Sequence, residues 1–324
     1  MARTTAARGS RSDVSVERVW SGDLYARVST AGAEGARAFV LVPGIGVTSN
    51  YFERLALRLN EFGPVIALDL PGFGGVPHPG RPMTVVQYAE LVGDVVDRLG
   101  LEDPVLVGHS MGTQIVAALA ATREVSDVVL ISPVVNARER RSWRVLLRFA
   151  QSCLHEPPRV VALALYAYAL SGARWIFRIL PAVLRFRIED ALPRIGARTL
   201  VLSGEEDRLV PLSWTQEVTR LLPRGTSWRI PGAAHSVMHR NAEEVARLCV
   251  AHVRGRLPED DHVHRVPEEV VDGSDGHEGV GLAATRGRVT ELAGVLTDDD
   301  ETIARGKTEQ AQAAERAEGT SDDR

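Results

Sequence analysis

The chain has 324 residues, 44% of them hydrophobic, which is enough to bury one large core and carry an appendage. Two cysteines far apart, Cys153 and Cys249, give no disulfide framework. Met1 to Asp13 lacks the apolar segment of a secretory signal, and arginine interrupts every apolar run before the ~20 residues a membrane span needs, so a cytoplasmic protein is expected.

In chain order, Val16–Trp20 and Leu24–Ser29 read as a hairpin across Ser21-Gly22-Asp23. A strand at Ala38–Val42 precedes Pro43-Gly44-Ile45-Gly46, and a helix follows near Tyr51–Glu61. Val65–Leu68 is a short buried strand leading to Asp69-Leu70-Pro71-Gly72-Phe73-Gly74. Thr84 caps a helix over Val85–Leu99 that Gly100 ends. Strands at Val105–Gly108 and Val128–Ile131 flank a helix after Gly112, and Thr199–Ser203 and Ser227–Arg229-Ile230 come later. The alternation predicts an α/β fold with a mostly parallel sheet covered by helices on both faces.

Val107-Gly108-His109-Ser110-Met111-Gly112 carries the clearest chemical signal. A serine on a tight strand-to-helix turn is exposed to substrate but strained, which requires neighbours two positions away with almost no side chain. Such a pentapeptide arises by chance in roughly one chain in ten of this length, so it carries weight only with its partners. A serine nucleophile needs an imidazole to take its proton and a carboxylate to orient that ring. Asp207, in Gly204-Glu205-Glu206-Asp207, and His235, after Pro231-Gly232-Ala233-Ala234, each sit just past a strand end, in the order Ser110, Asp207, His235. Glu205 and Glu206 are rival carboxylates, and His239 is a rival base. His109 is assigned to packing or hydrogen bonding beside the sheet, and Asp69 to fixing its loop.

These five ordered segments resemble the α/β-hydrolase family from about Val16 to about Arg256. The resemblance implies a nucleophile at Ser110, a base at His235 and an orienting acid at Asp207. Its oxyanion hole would use the backbone N–H groups of Met111 and Ile45. The chain departs from the family at Pro43-Gly44, where His-Gly is usual. Backbone donors survive that change, but the wall of the site differs. Serine at the elbow also argues against epoxide hydrolase or dehalogenase chemistry, which needs a carboxylate there. The absence of phosphate-loop and paired Cys-x-x-Cys patterns gives no cofactor, no metal and no nucleic-acid partner.

The resemblance also divides the chain: core over 14–135 and 193–257, a helical cap over 136–192, a linker over 258–280, and a flexible acidic tail over 281–324. The cap is rich in apolar and arginine residues, which suits a small hydrophobic acyl or ester substrate. Transient attachment to a lipid surface is a weaker reading of the same helices. From Pro258 onward there are 18 acidic and 7 basic residues, so the tail carries −11 and the remainder +7, and the two could attract each other. His252, His262, His264 and His277 are too loosely spaced for a metal site. Residues after Arg288 resemble a small CsbD-like stress-response module, although few large apolar residues also allow a partly disordered tail. The single lysine, Lys307, reads as coding bias. The expected chemistry is ester hydrolysis. C–C bond hydrolysis, thioester hydrolysis and perhydrolysis on the same residues remain open, as do a non-catalytic binding or stress-response role and the oligomeric state.

Overall fold

The computed structural model describes residues 13–32, 37–153, 155–156, 158–257 and 278–322. Strands β1 (Ser15–Ser21) and β2 (Leu24–Ala31) form an antiparallel hairpin. β3 (Phe39–Val42) leads through a 3₁₀ turn into α1 (Glu53–Leu59), so the helix expected from Tyr51 begins as the tighter form. Next come β4 (Val65–Asp69), α2 (Val85–Arg98), β5 (Val105–His109), α3 (Met111–Ala120) and β6 (Asp127–Ile131). The eight-stranded sheet has the order β1-β2-β4-β3-β5-β6-β7-β8, with β7 at Arg198–Gly204 and β8 at Gly225–Ile230. All pairings from β4 through β8 are parallel.

Successive strand residues face opposite sides, so one strand feeds two cores. Val40, Val42, Leu106, Leu130 and Val201 pack in the layer under α2 and α3. Phe39, Leu41, Val107, Ile131 and Leu202 pack on the other face, against α1 and residues such as Val245 and Leu248. The alternation breaks between β6 and β7. There α4 (Ser142–Cys153), α5 (Pro158–Ser171), α6 (Ala173–Arg185) and the short α7 (Ile188–Ala191) form a helical insertion. The second half of the core adds α8 (Leu212–Leu221), α9 (Val237–Arg240) and α10 (Ala242–Val253). Among the described residues, no single helix is long and apolar enough to cross a membrane.

Most of the linker, residues 258–277, lies outside the described residues, and His262, His264 and His277 with it. His252 hydrogen-bonds the Arg198 carbonyl at 3.1 Å. Beyond the linker, α11 (Glu278–Thr297) and α12 (Asp300–Asp322) form a helical hairpin. Three glycines let its helices touch: a Cβ on Gly306 would fall 2.4 Å from the Glu291 amide nitrogen, and Gly287 and Gly294 are similarly crowded. The hairpin lies against the start of the sheet. Arg18 reaches Asp300 at 2.5 Å and Asp298 at 2.8 Å, and the fully buried Arg27 reaches Asp300 at 3.2 Å. The acidic tail therefore does contact basic residues of the body.

Helix α2 shows how local sequence fixes an end. The Thr84 hydroxyl accepts the Gln87 N–H while the Gln87 side chain accepts the Thr84 N–H, satisfying two otherwise orphaned donors. Thr84→Ala is expected to lower unfolding stability by about 1 kcal/mol. Urea denaturation measures this, and an unchanged midpoint would mean the cap contributes nothing.

Candidate active site

Strand β5 runs into α3 through Ser110, which adopts φ 54° and ψ −119°. A side chain rarely tolerates that conformation, and here the surroundings enforce it. A Cβ on Gly108 would lie 2.4 Å from the Gly112 carbonyl oxygen, and one on Gly112 would lie 2.1 Å from the Val42 carbonyl oxygen. Gly44 is held in the same way, since a Cβ there would come within 3.0 Å of the Ser110 Cβ. The glycines thus press the elbow against the end of β3 and direct the serine out of the sheet.

Ser110, Asp207 and His235, 125 residues apart at the extremes, meet at this turn. Ser110 Oγ lies 3.1 Å from His235 Nε2, and His235 Nδ1 lies 2.8 Å from Asp207 Oδ2. An ionised carboxylate only accepts, so Nδ1 carries the proton and Nε2 offers its lone pair to the serine hydroxyl. The other oxygen of Asp207 takes the N–H groups of Leu209 and Val210, at 2.9 and 3.2 Å. The rivals lie elsewhere. Glu205 and Glu206 are exposed, and Glu205 accepts the Gly232 N–H. His239 packs near the Tyr51 ring.

All three groups are buried, and their charges are coupled. Burial alone would depress the His235 pKa, but the Asp207 charge and hydrogen bond, with help from Glu156, hold it above the ordinary histidine value. Burial would raise Asp207, yet His235, the Ser132 hydroxyl and the Leu209 N–H together hold it below the usual carboxylate range. Burial pushes His239 down to about 4, with Arg54 and Arg288 adding repulsion.

Further residues act on His235 through its backbone. The His235 carbonyl accepts from His109 Nε2 at 3.2 Å and from the Ser132 hydroxyl at 3.1 Å. His109 is pushed down to about 3 by burial and by the neighbouring His235, so it stays neutral and Nε2 donates. Glu156 of the insertion accepts the Ser236 N–H at 2.7 Å, and the Tyr51 and Ser236 hydroxyls are bonded at 2.5 Å. Sequence reasoning gave His109 a packing or hydrogen-bonding role but missed Ser132 and Glu156, because neither has a motif and both contacts span about 80 residues or more.

Met111 opens α3, so its N–H has no carbonyl within the helix to bond and faces the turn. Ile45 lies in the loop after β3, which carries Gly44 to the Ser110 side chain. Over this mouth lies the insertion. Tyr168 and Ile176 press on Gly46, the Trp175 indole lies on Gly72, and the Ser171 hydroxyl donates to the Gly46 carbonyl at 3.2 Å. Among the described residues, no cluster of histidine, cysteine, aspartate or glutamate could hold a metal ion.

A mostly parallel sheet with helices on both faces and a serine elbow at its centre defines an α/β-hydrolase fold. The chain belongs to the alpha/beta hydrolase family, whose profile matches residues 39–248. It is 26% identical to the putative carbamate hydrolase RutD of Escherichia coli, over 62% of this chain and 85% of that protein. It is 29% identical to the dihydrolipoyllysine-residue acetyltransferase component of the acetoin cleaving system of Cupriavidus necator, over 68% of this chain. That match covers 64% of the relative, so the chain spans less than two thirds of its length. Among solved structures, a membrane phospholipase A superposes with a TM-score of 0.66 and 26% identity, covering 76% of this chain and 87% of that one. Est816, an N-acyl homoserine lactone degrading enzyme, gives 0.65 at 20% identity over 74% and 100%, a likeness of fold alone.

The opposed shifts of the two histidines can be tested directly. In an NMR titration of the folded protein, His235 is expected to protonate above the ordinary ~6.5, while His109 stays neutral down to about pH 4. A His109 ring that titrates near pH 6 would contradict the burial beside His235 that keeps it neutral.

Proposed function

We propose that the protein is a serine hydrolase that cleaves a carboxylic ester, or a closely related acyl bond, of a small hydrophobic substrate through an acyl-enzyme. The observation that carries this reading is the unbroken chain from Ser110 Oγ to His235 to Asp207, at 3.1 and 2.8 Å. Ser110 Oγ attacks the carbonyl carbon as its proton passes to His235 Nε2. The carbonyl oxygen becomes an oxyanion held by the Met111 and Ile45 N–H groups. The tetrahedral intermediate collapses, the C–O bond to the leaving alkoxide breaks, and His235 returns the proton to it. Water then gives a proton to His235 and attacks the acyl carbon, the bond from that carbon to Ser110 Oγ breaks, and His235 returns the proton to Oγ as the acid leaves. Asp207 holds the imidazole and favours its cationic form throughout.

The hydrophobic preference is supported by Tyr168 and Ile176, which the insertion sets against Gly46 in the loop after β3. The named activity of the Escherichia coli relative brings carbamates into the set of substrates to screen, since the same attack on a carbonyl opens them.

Ser110→Ala is expected to lower kcat on p-nitrophenyl esters by about 10⁴-fold or more while the chain stays folded. It should also abolish fluorophosphonate labelling, and turnover within tenfold of the parent would sink the proposal.

The pH profile gives a second check. His235 must be neutral to accept the proton, so kcat/KM falls as pH drops through its pKa, which lies above the ordinary value. Asp207→Asn removes what holds that pKa up against burial, so the acid limb is expected to move to lower pH while activity on the plateau drops. A limb that moves upward would contradict the role given to Asp207.

A further inference from the structure

The only lysine in the chain is one of its most thoroughly enclosed cations. Lys307, on α12, is 6% exposed and points into the body of the protein. Its ammonium lies 3.4 Å from Asp69 Oδ2 and 3.7 Å from Glu291 Oε1, and it donates to the Ser49 hydroxyl. Asp69 ends β4 and in turn holds Ser49 twice, through its N–H at 2.6 Å and its hydroxyl at 3.1 Å. Glu291, on α11, accepts from Asn50 Nδ2 at 2.6 Å and from Gln310 Nε2 at 2.8 Å. Ser49 and Asn50 close the loop that begins at Pro43 and carries Ile45. Both helices of the C-terminal hairpin therefore grip one end of the loop assigned above to the oxyanion.

A carboxylate as buried as Asp69 needs donors and a counter-charge around it. Ser49 supplies the donors, and the hairpin supplies the charge. The rest of the hairpin interface strengthens this grip. Arg18 and Arg27 hold Asp298 and Asp300 at the hairpin turn, Val295 fits against Gly75, and the Val14 N–H donates to Thr308 at 3.0 Å.

We propose that the C-terminal hairpin is a built-in positioning element of the active site. Docked, its Lys307 and Glu291 hold Asp69, Ser49 and Asn50 so that the Ile45 N–H faces the oxyanion; undocked, that loop loosens and the chemical step slows. Lys307 is a positioning residue in this scheme. It touches no substrate and acts through Asp69 and Ser49. The inference rests on the serine hydrolase reading, because only that chemistry gives the loop an oxyanion to hold.

Coupling between two sites is reciprocal, so filling the oxyanion site must favour the docked hairpin. A solitary lysine makes docking measurable in the intact chain, since an amine-acetylating reagent can modify only Lys307 and the α-amino group. The rate of Lys307 acetylation, followed by peptide mass spectrometry, is compared before and after Ser110 is phosphonylated with a fluorophosphonate. The phosphonyl oxygen then occupies the oxyanion site. Phosphonylation is expected to slow Lys307 acetylation by about fivefold or more, with the α-amino group unaffected.

Lys307→Met in the full chain is expected to lower kcat by about 10- to 100-fold with KM little changed, and Lys307→Arg to restore part of the loss. Protein that takes the phosphonate at Ser110 yet acetylates Lys307 at one rate in both forms overturns the positioning role and leaves the serine reading standing. So does a folded Lys307→Met protein with undiminished kcat. A chain whose Ser110 takes no phosphonate overturns the serine reading and this inference together. The acetylation arm needs no variant, so a Lys307→Met chain that fails to fold does not remove the test.

Discussion

At the centre of the sheet, the Val42 carbonyl oxygen approaches α3 so closely that a Cβ on Gly112 would lie 2.1 Å away. Only a residue without a side chain can stand there, and the helix can begin that near the strand only if the preceding turn is abrupt. The abrupt turn is what forces Ser110 to φ 54°. The same approach places the N-terminus of α3, with its unpaired N–H groups, beside the loop leaving β3. Strain at the serine, donors near it and the closeness of the β3 loop are therefore consequences of a single contact. The hydrophobic layers on both faces of β3 and β5 supply the packing that maintains it.

Three buried aspartates sit at strand ends or starts, and their partners separate structural from chemical roles. Asp127, at the start of β6, is paired with Arg37 at 2.5 Å and Arg198 at 2.7 Å, both permanently charged. Asp69 at the end of β4 has Lys307 and two hydrogen bonds from Ser49. Among the described residues, Asp207 beyond the end of β7 pairs with no fixed cation. Two backbone N–H groups, the His235 imidazole and the Ser132 and Ser152 hydroxyls are what it contacts. A carboxylate paired with a fixed cation is neutralised and static. One paired with an imidazole lowers the energy of the proton-bearing form of that ring, and the benefit appears only when a proton arrives.

The sheet and the elbow were legible because both depend on local rules: alternating strands and helices, a capping box at Thr84 and Gln87, and glycines flanking a serine. The order of Ser110, Asp207 and His235 along the chain was legible for a related reason, since each stands just past the end of a strand that periodicity locates. Glu205, Glu206 and Asp207 could not be separated with certainty by local pattern, because the turn itself selects which side chain faces inward. The backbone N–H groups of Leu209 and Val210 make that selection. Ser132 and Glu156 left no trace, since their value lies in reaching His235 and Ser236 from distant elements. Lys307 was read as coding bias, and periodicity gave no hint that this lysine is buried between Asp69, Glu291 and Ser49.

The loop after β3 is held from two directions by two different segments. From above, the insertion presses Tyr168 and Ile176 onto Gly46 and bonds its carbonyl through Ser171. From the side, the hairpin fixes Ser49 and Asn50 by charge and hydrogen bonds. Under the proposed chemistry these contacts have different consequences. The insertion forms the apolar wall, so altering it changes which acyl group fits as well as where the loop sits. The hairpin lies behind the loop, so altering it moves the oxyanion donor without reshaping the wall. A loop with one brace would have to trade selectivity against rate at the same residues. With two, the chain can vary its substrate wall while the geometry at Ile45 stays anchored to Asp69.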